Sequence, residues 1–267
     1  MTSTKTDPPV DDAVGDGPVQ EPVAIDRRTE LVTTLVVFAA VTLACALLYQ
    51  LRRVPLIARF MHDAIAAIFL IVPTLLVMRA NEDFADHGLV AAPVPRGLLY
   101  FGGLSALVFP LFTAGFVIYY QTVCGWVSAG KALPAVYKRM CPAFVGSWTK
   151  MHPRIDKRFG WLAAAQLLVV ALPEEYFFRG YLQTKLERVW TPKRRLLGGG
   201  LGVALIATSI LFSLAHVLVD FNPLRFAVFF PSLVFGWLRS ATGSILASVL
   251  FHACSNLISD VLHRSFF

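Results

Sequence analysis

The chain has 267 residues, of which 56% are hydrophobic and 15% charged, and its mean hydropathy is +0.63. Soluble domains carry about 25% charged residues, so this composition excludes an ordinary soluble globule and indicates a membrane protein. A net charge of +7 would suit a nucleic-acid binder. Here, however, the bases lie in short loops between apolar runs, as membrane topology requires, so no nucleic-acid partner is expected.

Residues 1–28 are rich in Pro, Asp and Gly and almost devoid of large apolar side chains. Such a segment cannot bury enough surface to fold and is expected to be a disordered acidic tail. It is acidic where a signal peptide is basic. Seven apolar spans follow, at about 31–51, 62–79, 98–120, 160–185, 196–219, 222–239 and 243–262. Between them, residues 121–159 are moderately apolar but interrupted by Lys138 and Arg139, which suits an interfacial or partial eighth helix. The expected fold is all-α, a polytopic membrane bundle of seven or eight transmembrane helices around a polar cavity. It divides into the tail 1–28, an N-terminal helical part 29–159 and a catalytic core 160–267. Basic residues crowd both 121–159 and 186–196 with one span between them, so the positive-inside rule leaves orientation open. Cys45, Cys124, Cys141 and Cys254 form no C-x-x-C pair, and no disulfide is expected.

Chemistry concentrates in the later spans. "ALPEEYFFRGYL" puts Glu174, Glu175 and Arg179 into the fourth, "FSLAH" puts His216 into the fifth, and "HACSN" puts His252 and Asn256 into the last. An ionisable group at bilayer depth costs roughly 2.5–3.5 kcal/mol on insertion scales, so each needs a partner or a task. Glu175 and Arg179 are four apart, acid first, the favourable order for an ion pair on one helix face. Glu174 points about 100° away from Glu175 and meets different surroundings. His252 and Asn256 are also four apart. A carboxylate beside an imidazole can deprotonate water, and a His–Asn pair can donate to a developing oxyanion. The inventory therefore suits hydrolysis of an amide by activated water.

Blander readings exist for each motif: a Glu–Arg latch, a satisfied interior histidine, an interhelical hydrogen bond. Three such motifs on successive helices are better explained by one shared site. A proton-coupled transporter and a non-catalytic scaffold or immunity protein are the alternatives from other classes. His62, His87, His152 and His263 fall in loops or at span ends and are expected to be solvated. Asp220 and Asp260 are expected to face water or cap helices, and the Phe-rich stretch "FAVFFPSLVFGW" to face lipid or pack. Glu174, His216 and His252 would also make a three-ligand zinc set. The absence of H-E-x-x-H and the presence of Asn256 weigh against it, so no cofactor is expected, with zinc left open.

"EEYFFR", "FSLAH" and "HACSN" together resemble the E-E-x-x-x-R, F-x-x-x-H and H-x-x-x-N motifs of the type II CAAX prenyl endopeptidase (CPBP or Abi) family, in the same order. The resemblance covers about residues 160–262. It implies an intramembrane glutamate-dependent endopeptidase within an eight-helix bundle that has a cavity open to one side and to lipid. Glu174 would be the general base, His216 its assistant, Glu175 and Arg179 the support, and His252 with Asn256 the oxyanion hole. The implied partners are the bilayer and a membrane-anchored protein or peptide substrate. The tail and loops have a prokaryotic look, and the expected location is a bacterial inner or plasma membrane.

Overall fold

The computed structural model describes residues 26–90 and 94–267. The expected tail lies outside them up to residue 25, but Arg27 and Arg28 are already helical. Asp26 is the reason: its carboxylate caps the helix, accepting from the Arg28 amide at 3.1 Å and from the Thr29 hydroxyl.

Eight α-helices lie among the described residues: α1 (Arg27–Gln50), α2 (Pro55–Arg79), α3 (Val94–Ser128), α4 (Ala135–Met140), α5 (Phe159–Val189), α6 (Val203–Asp220), α7 (Phe229–Thr242) and α8 (Leu246–Phe266). Five of them are long and apolar enough to cross a membrane: α1 with its extension to Arg53, α2, α3, α5 and α6. The sixth expected span is the 14-residue α7, led in by a 3₁₀ turn at Pro223–Val228. The seventh is α8, 21 residues broken by polar side chains. Mid-helix leucines and isoleucines such as Leu43, Leu107, Leu111 and Ile118 lie exposed. An apolar exterior of this kind is built for lipid contact.

Two expectations are corrected here. Residues 196–201, placed at the start of the fifth span, belong instead to an antiparallel hairpin of β1 (Arg194–Leu196) and β2 (Gly199–Leu201). Its turn needs positive φ at Leu197 and Gly198, which a helix would not permit. Residues 121–159, expected to hold an interfacial or partial helix, contain the end of α3 up to Ser128 and the six-residue α4. Cys124 and Cys141 do form a disulfide. The chain reverses after α3 at Gly130 (φ +76°), which carries the end of α4 back onto the last turns of α3.

The helix ends gather at two opposite ends of the bundle. At one, Gln50 at the end of α1 donates to the Val219 carbonyl near the end of α6. The 141–158 segment joins the same end, pairing Val145 with the Phe266 carbonyl and Arg154 with the Ser265 hydroxyl. At the other end, α1 begins, α5 finishes and the hairpin folds over α7 through Trp237, whose indole donates to the Leu196 carbonyl. There the loop after α2 is locked in. Glu82 accepts from Lys185 and Arg188 of α5, each at 2.6 Å, and from His87 at 2.7 Å, while Lys185 also reaches Glu30 of α1 at 3.2 Å. His87, expected to be solvated, is fully buried, its second ring nitrogen 2.9 Å from the Gly180 carbonyl. Proximity along a loop says nothing about docking, and here the loop folds inward onto α5.

Gly180 makes that docking possible. A Cβ there would stand 2.8 Å from the His87 carbonyl oxygen and 2.8 Å from the Tyr176 ring. Gly180→Ala should therefore destabilise by about 1–3 kcal/mol, visible as a lowered melting midpoint in detergent; an unchanged midpoint would mean that the loop is not held there. Burial opposes ionisation of Glu82, but hydrogen bonds from Arg188, Lys185 and His87 outweigh it and hold the carboxyl at about 2. Its folded-state value is depressed, so its stabilisation is complete above the ordinary carboxylate range and fades as pH falls towards 2. Glu82→Gln should lower the midpoint at pH 7, with the gap to the parent closing between about pH 4.5 and 2.

Candidate active site

The site starts from an irregularity in α5. Pro173 has no amide hydrogen, and its ring crowds the carbonyl four residues back. The helix widens to a π stretch at Gln166–Ala171, tightens over Leu172–Glu175 and widens again over Tyr176–Gln183. Such π turns are frequent at functional sites, where they re-aim side chains.

Glu175 and Arg179 lie on one face, Arg179 Nη1 3.1 Å from Glu175 Oε1, and both side chains are 0% exposed. Arg179 Nη2 donates to Ser232 Oγ at 2.7 Å and to the Ser232 carbonyl at 3.3 Å. The guanidinium also lies 4.3 Å from the Phe212 ring centroid and 5.1 Å from that of Phe235, where the electron-rich ring faces favour a cation. Burial of these charges is tolerable because each has a partner.

Glu175 has a second contact that residue spacing does not reveal: its Oε1 accepts from His252 Nδ1 at 2.8 Å. The ring is clamped further by Phe235, stacked at 4.7 Å and 15°. With Nδ1 committed, His252 Nε2 turns to Glu174 and lies 3.9 Å from its Oε2. His216 reaches the same oxygen from α6, its Nε2 also at 3.9 Å. Its Nδ1 lies 2.9 Å from the Phe212 carbonyl. A carbonyl only accepts, so Nδ1 carries a proton and Nε2 is the ring nitrogen left to face Glu174. Glu174 Oε2 is buried and has no hydrogen-bond partner among the described residues. An orphaned buried acceptor between two imidazoles calls for an explanation.

Asn256 lines a cavity of about 210 Å³ together with Glu174, His216 and His252. Its amide nitrogen donates to Gln166 Oε1 at 2.9 Å, which leaves one of its two N–H bonds for another acceptor. A second cavity of about 210 Å³, lined by apolar side chains including Ile65, Phe69 and Phe178, also ends at Glu174 and His216. Both include Arg225 and so open towards the end where α6 finishes. Among the described residues, no group of three or more His, Cys, Asp or Glu side chains is set to hold a metal ion.

All six residues singled out by sequence thus meet around one polar centre. Three others belong with them: Gln166, Ser232 and Phe235. Phe235 shows both expected roles divided within the Phe-rich stretch: it packs, buried against His252, while Phe230 in the same run is exposed. The spacing from Ser232 to Phe235 and Arg239, at helical intervals and all buried, was the available signal for an inward face of α7.

Fold and site together define an integral membrane protein with a buried carboxylate–imidazole centre. Residues 157–258 match the family model for Type II CAAX prenyl endopeptidase Rce1-like, a span that holds every residue of the centre. No curated protein and no solved structure matches the chain.

The two glutamates should differ in what they support. Glu175→Gln unbalances Arg179 and removes the carboxylate that His252 faces, so it should cost about 3–5 kcal/mol and depress the melting midpoint or the yield of folded protein. Glu174→Gln leaves no buried cation unpaired and should melt with the parent. Indistinguishable midpoints would refute this division.

Proposed function

We propose that this chain is an intramembrane endopeptidase that hydrolyses a peptide bond in the membrane-proximal or C-terminal part of a membrane-associated substrate. The observation that carries this reading is the unpartnered Glu174 Oε2, 3.9 Å from each of two imidazole Nε2 atoms. That separation is too long for a hydrogen bond and suits a water that bridges the groups.

In this mechanism Glu174 removes a proton from the water as its oxygen attacks the substrate carbonyl. The developing oxyanion accepts from His252 Nε2–H and from the free N–H of Asn256. His252 is then protonated on both nitrogens, and Glu175 supports the imidazolium through Nδ1, as a buried carboxylate does in other hydrolases. With Glu174 protonated, Glu175, Arg179 and His252 carry a net single positive charge, which the negative charge of the oxyanion balances. Collapse of the tetrahedral intermediate breaks the C–N bond, and the proton held by Glu174 passes to the leaving amine, with His216 Nε2 as its relay. The apolar cavity beside Phe69 and Phe178 suits a lipid-like or apolar side of the substrate.

We also propose seven membrane crossings, α1–α3 and α5–α8. This rests on the alternation of helix ends between the two faces of the bundle, with the short α7 and polar α8 shielded by neighbours that cover them. Cleavage would then occur near the face where α6 and α8 end.

Comparing the termini of membrane proteins in cells carrying the parent chain or Glu174→Ala should reveal new C-termini that vanish in the variant. Identical sets of termini would leave a transporter or a non-catalytic scaffold as the better reading. With a cleaved peptide in hand, Glu174→Gln should lower kcat by at least about 100-fold. Protein stripped by a strong chelator and checked for residual zinc should keep most of its activity. Complete loss, restored by stoichiometric zinc, would recast Glu174, His216 and His252 as ligands.

A further inference from the structure

At the end of the bundle opposite the site opening, two cavities meet on the hairpin. One, about 560 Å³, is lined by Arg27 at the start of α1, by Trp190, and by Lys193 and Arg194 leading into β1. Among the described residues, none of these three bases makes an ion pair or a side-chain hydrogen bond. The nearby carboxylates are spoken for: Asp26 caps α1, and Glu187 accepts from Gln183. Three unpaired cations around one hollow set up a field that favours an anion.

The second cavity, about 430 Å³, lies on the other side of β2, and its walls are Leu, Ile, Val and Trp side chains from α3, the hairpin, α6 and α7. Leu201 and Gly202 line both hollows, so the basic and apolar chambers are continuous across one short piece of chain. The hairpin that divides them is fixed. Trp237 holds the Leu196 carbonyl at 3.0 Å, and Ser240 accepts from the Gly200 amide at 2.9 Å. A Cβ at Gly199 would stand 2.3 Å from Trp237 Nε1, so β2 lies tight on α7.

An occupant that satisfies both chambers has an anionic head and an alkyl chain, and at the edge of a bilayer such a molecule is a phospholipid. We propose that the hairpin is a binding site for one anionic phospholipid, with its phosphate between Arg27, Lys193 and Arg194 and an acyl chain over Leu201 along Leu205, Ile206 and Leu233. The site stands apart from Glu174 and does not depend on the reaction assigned to it.

The test is thermal denaturation of the detergent-solubilised chain, with phosphatidylglycerol titrated against phosphatidylcholine. Phosphatidylglycerol should raise the midpoint in a saturable way, while phosphatidylcholine should not. Each base near a membrane surface contributes about a factor of five in binding. The Arg27→Gln/Lys193→Gln/Arg194→Gln variant should therefore need on the order of 100-fold more lipid for the same shift. A matched variant at the opposite end, Lys131→Gln/Lys138→Gln/Arg139→Gln, should respond like the parent, and equal weakening in both would reduce the effect to general surface charge and overturn the site. Inorganic phosphate or glycerol phosphate should shift nothing at the lipid concentrations used. A full shift from either would make the hollow a free-phosphate site and overturn the lipid assignment. If the hairpin variant fails to fold, Ile206→Gln, at a half-exposed wall of the apolar chamber, decides instead. It should weaken phosphatidylglycerol binding while leaving the midpoint without lipid in place, and an unchanged lipid response would refute the acyl-chain placement.

Discussion

A carboxylate and a guanidinium, both 0% exposed and 3.1 Å apart, set the terms for the C-terminal half of this protein. Neither charge can be left alone at that depth, so each draws in more of the structure. Arg179 recruits Ser232 and the faces of Phe212 and Phe235 from α6 and α7. Glu175 recruits His252 from α8. Satisfying one ion pair therefore aligns four helices, and the alignment directs two imidazoles at Glu174. The hydrogen bonds that satisfy the ion pair also set the geometry of the centre, and Glu174 is the carboxylate left without one.

Much of this was legible in the sequence because polar residues in apolar helices are rare enough to be informative one by one. The i, i+4 spacing of Glu175 and Arg179 translated directly into a contact, and the 100° offset put Glu174 on a different face. What spacing within a helix cannot express is the contact between helices. The Glu175–His252 hydrogen bond, the Gln166–Asn256 bond and the Ser232 anchor join positions tens of residues apart. The expected pairing of His252 with Asn256 held only in that both line one cavity, since the nearest partner of Asn256 is Gln166.

Most of the misreadings share a cause of their own. Hydropathy averages over windows, so it ran a span through the hairpin at 194–201 and placed the end of α3 eight residues early. It treated His87 as solvated because its loop looks polar, although that polarity is consumed internally by Glu82, Lys185 and Arg188. The Cys124–Cys141 pair was missed on another ground, the lack of a C-x-x-C motif, because its proximity comes from a reversal at Gly130. Loop polarity and loop burial are separate properties, and a window of composition measures only the first.

The ion pair on α5 also bears on how the chain is made. Synthesis runs from the N-terminus, so α5 emerges before Ser232, Phe235 and His252 exist. A lone arginine or glutamate would then burden the helix as it leaves the insertion machinery. Placing acid and base one turn apart lets α5 neutralise most of its own charge on entering lipid, and α6, α7 and α8 can take over as they arrive. The spacing that orients the mature centre is thus also a provision for the interval in which that centre is incomplete.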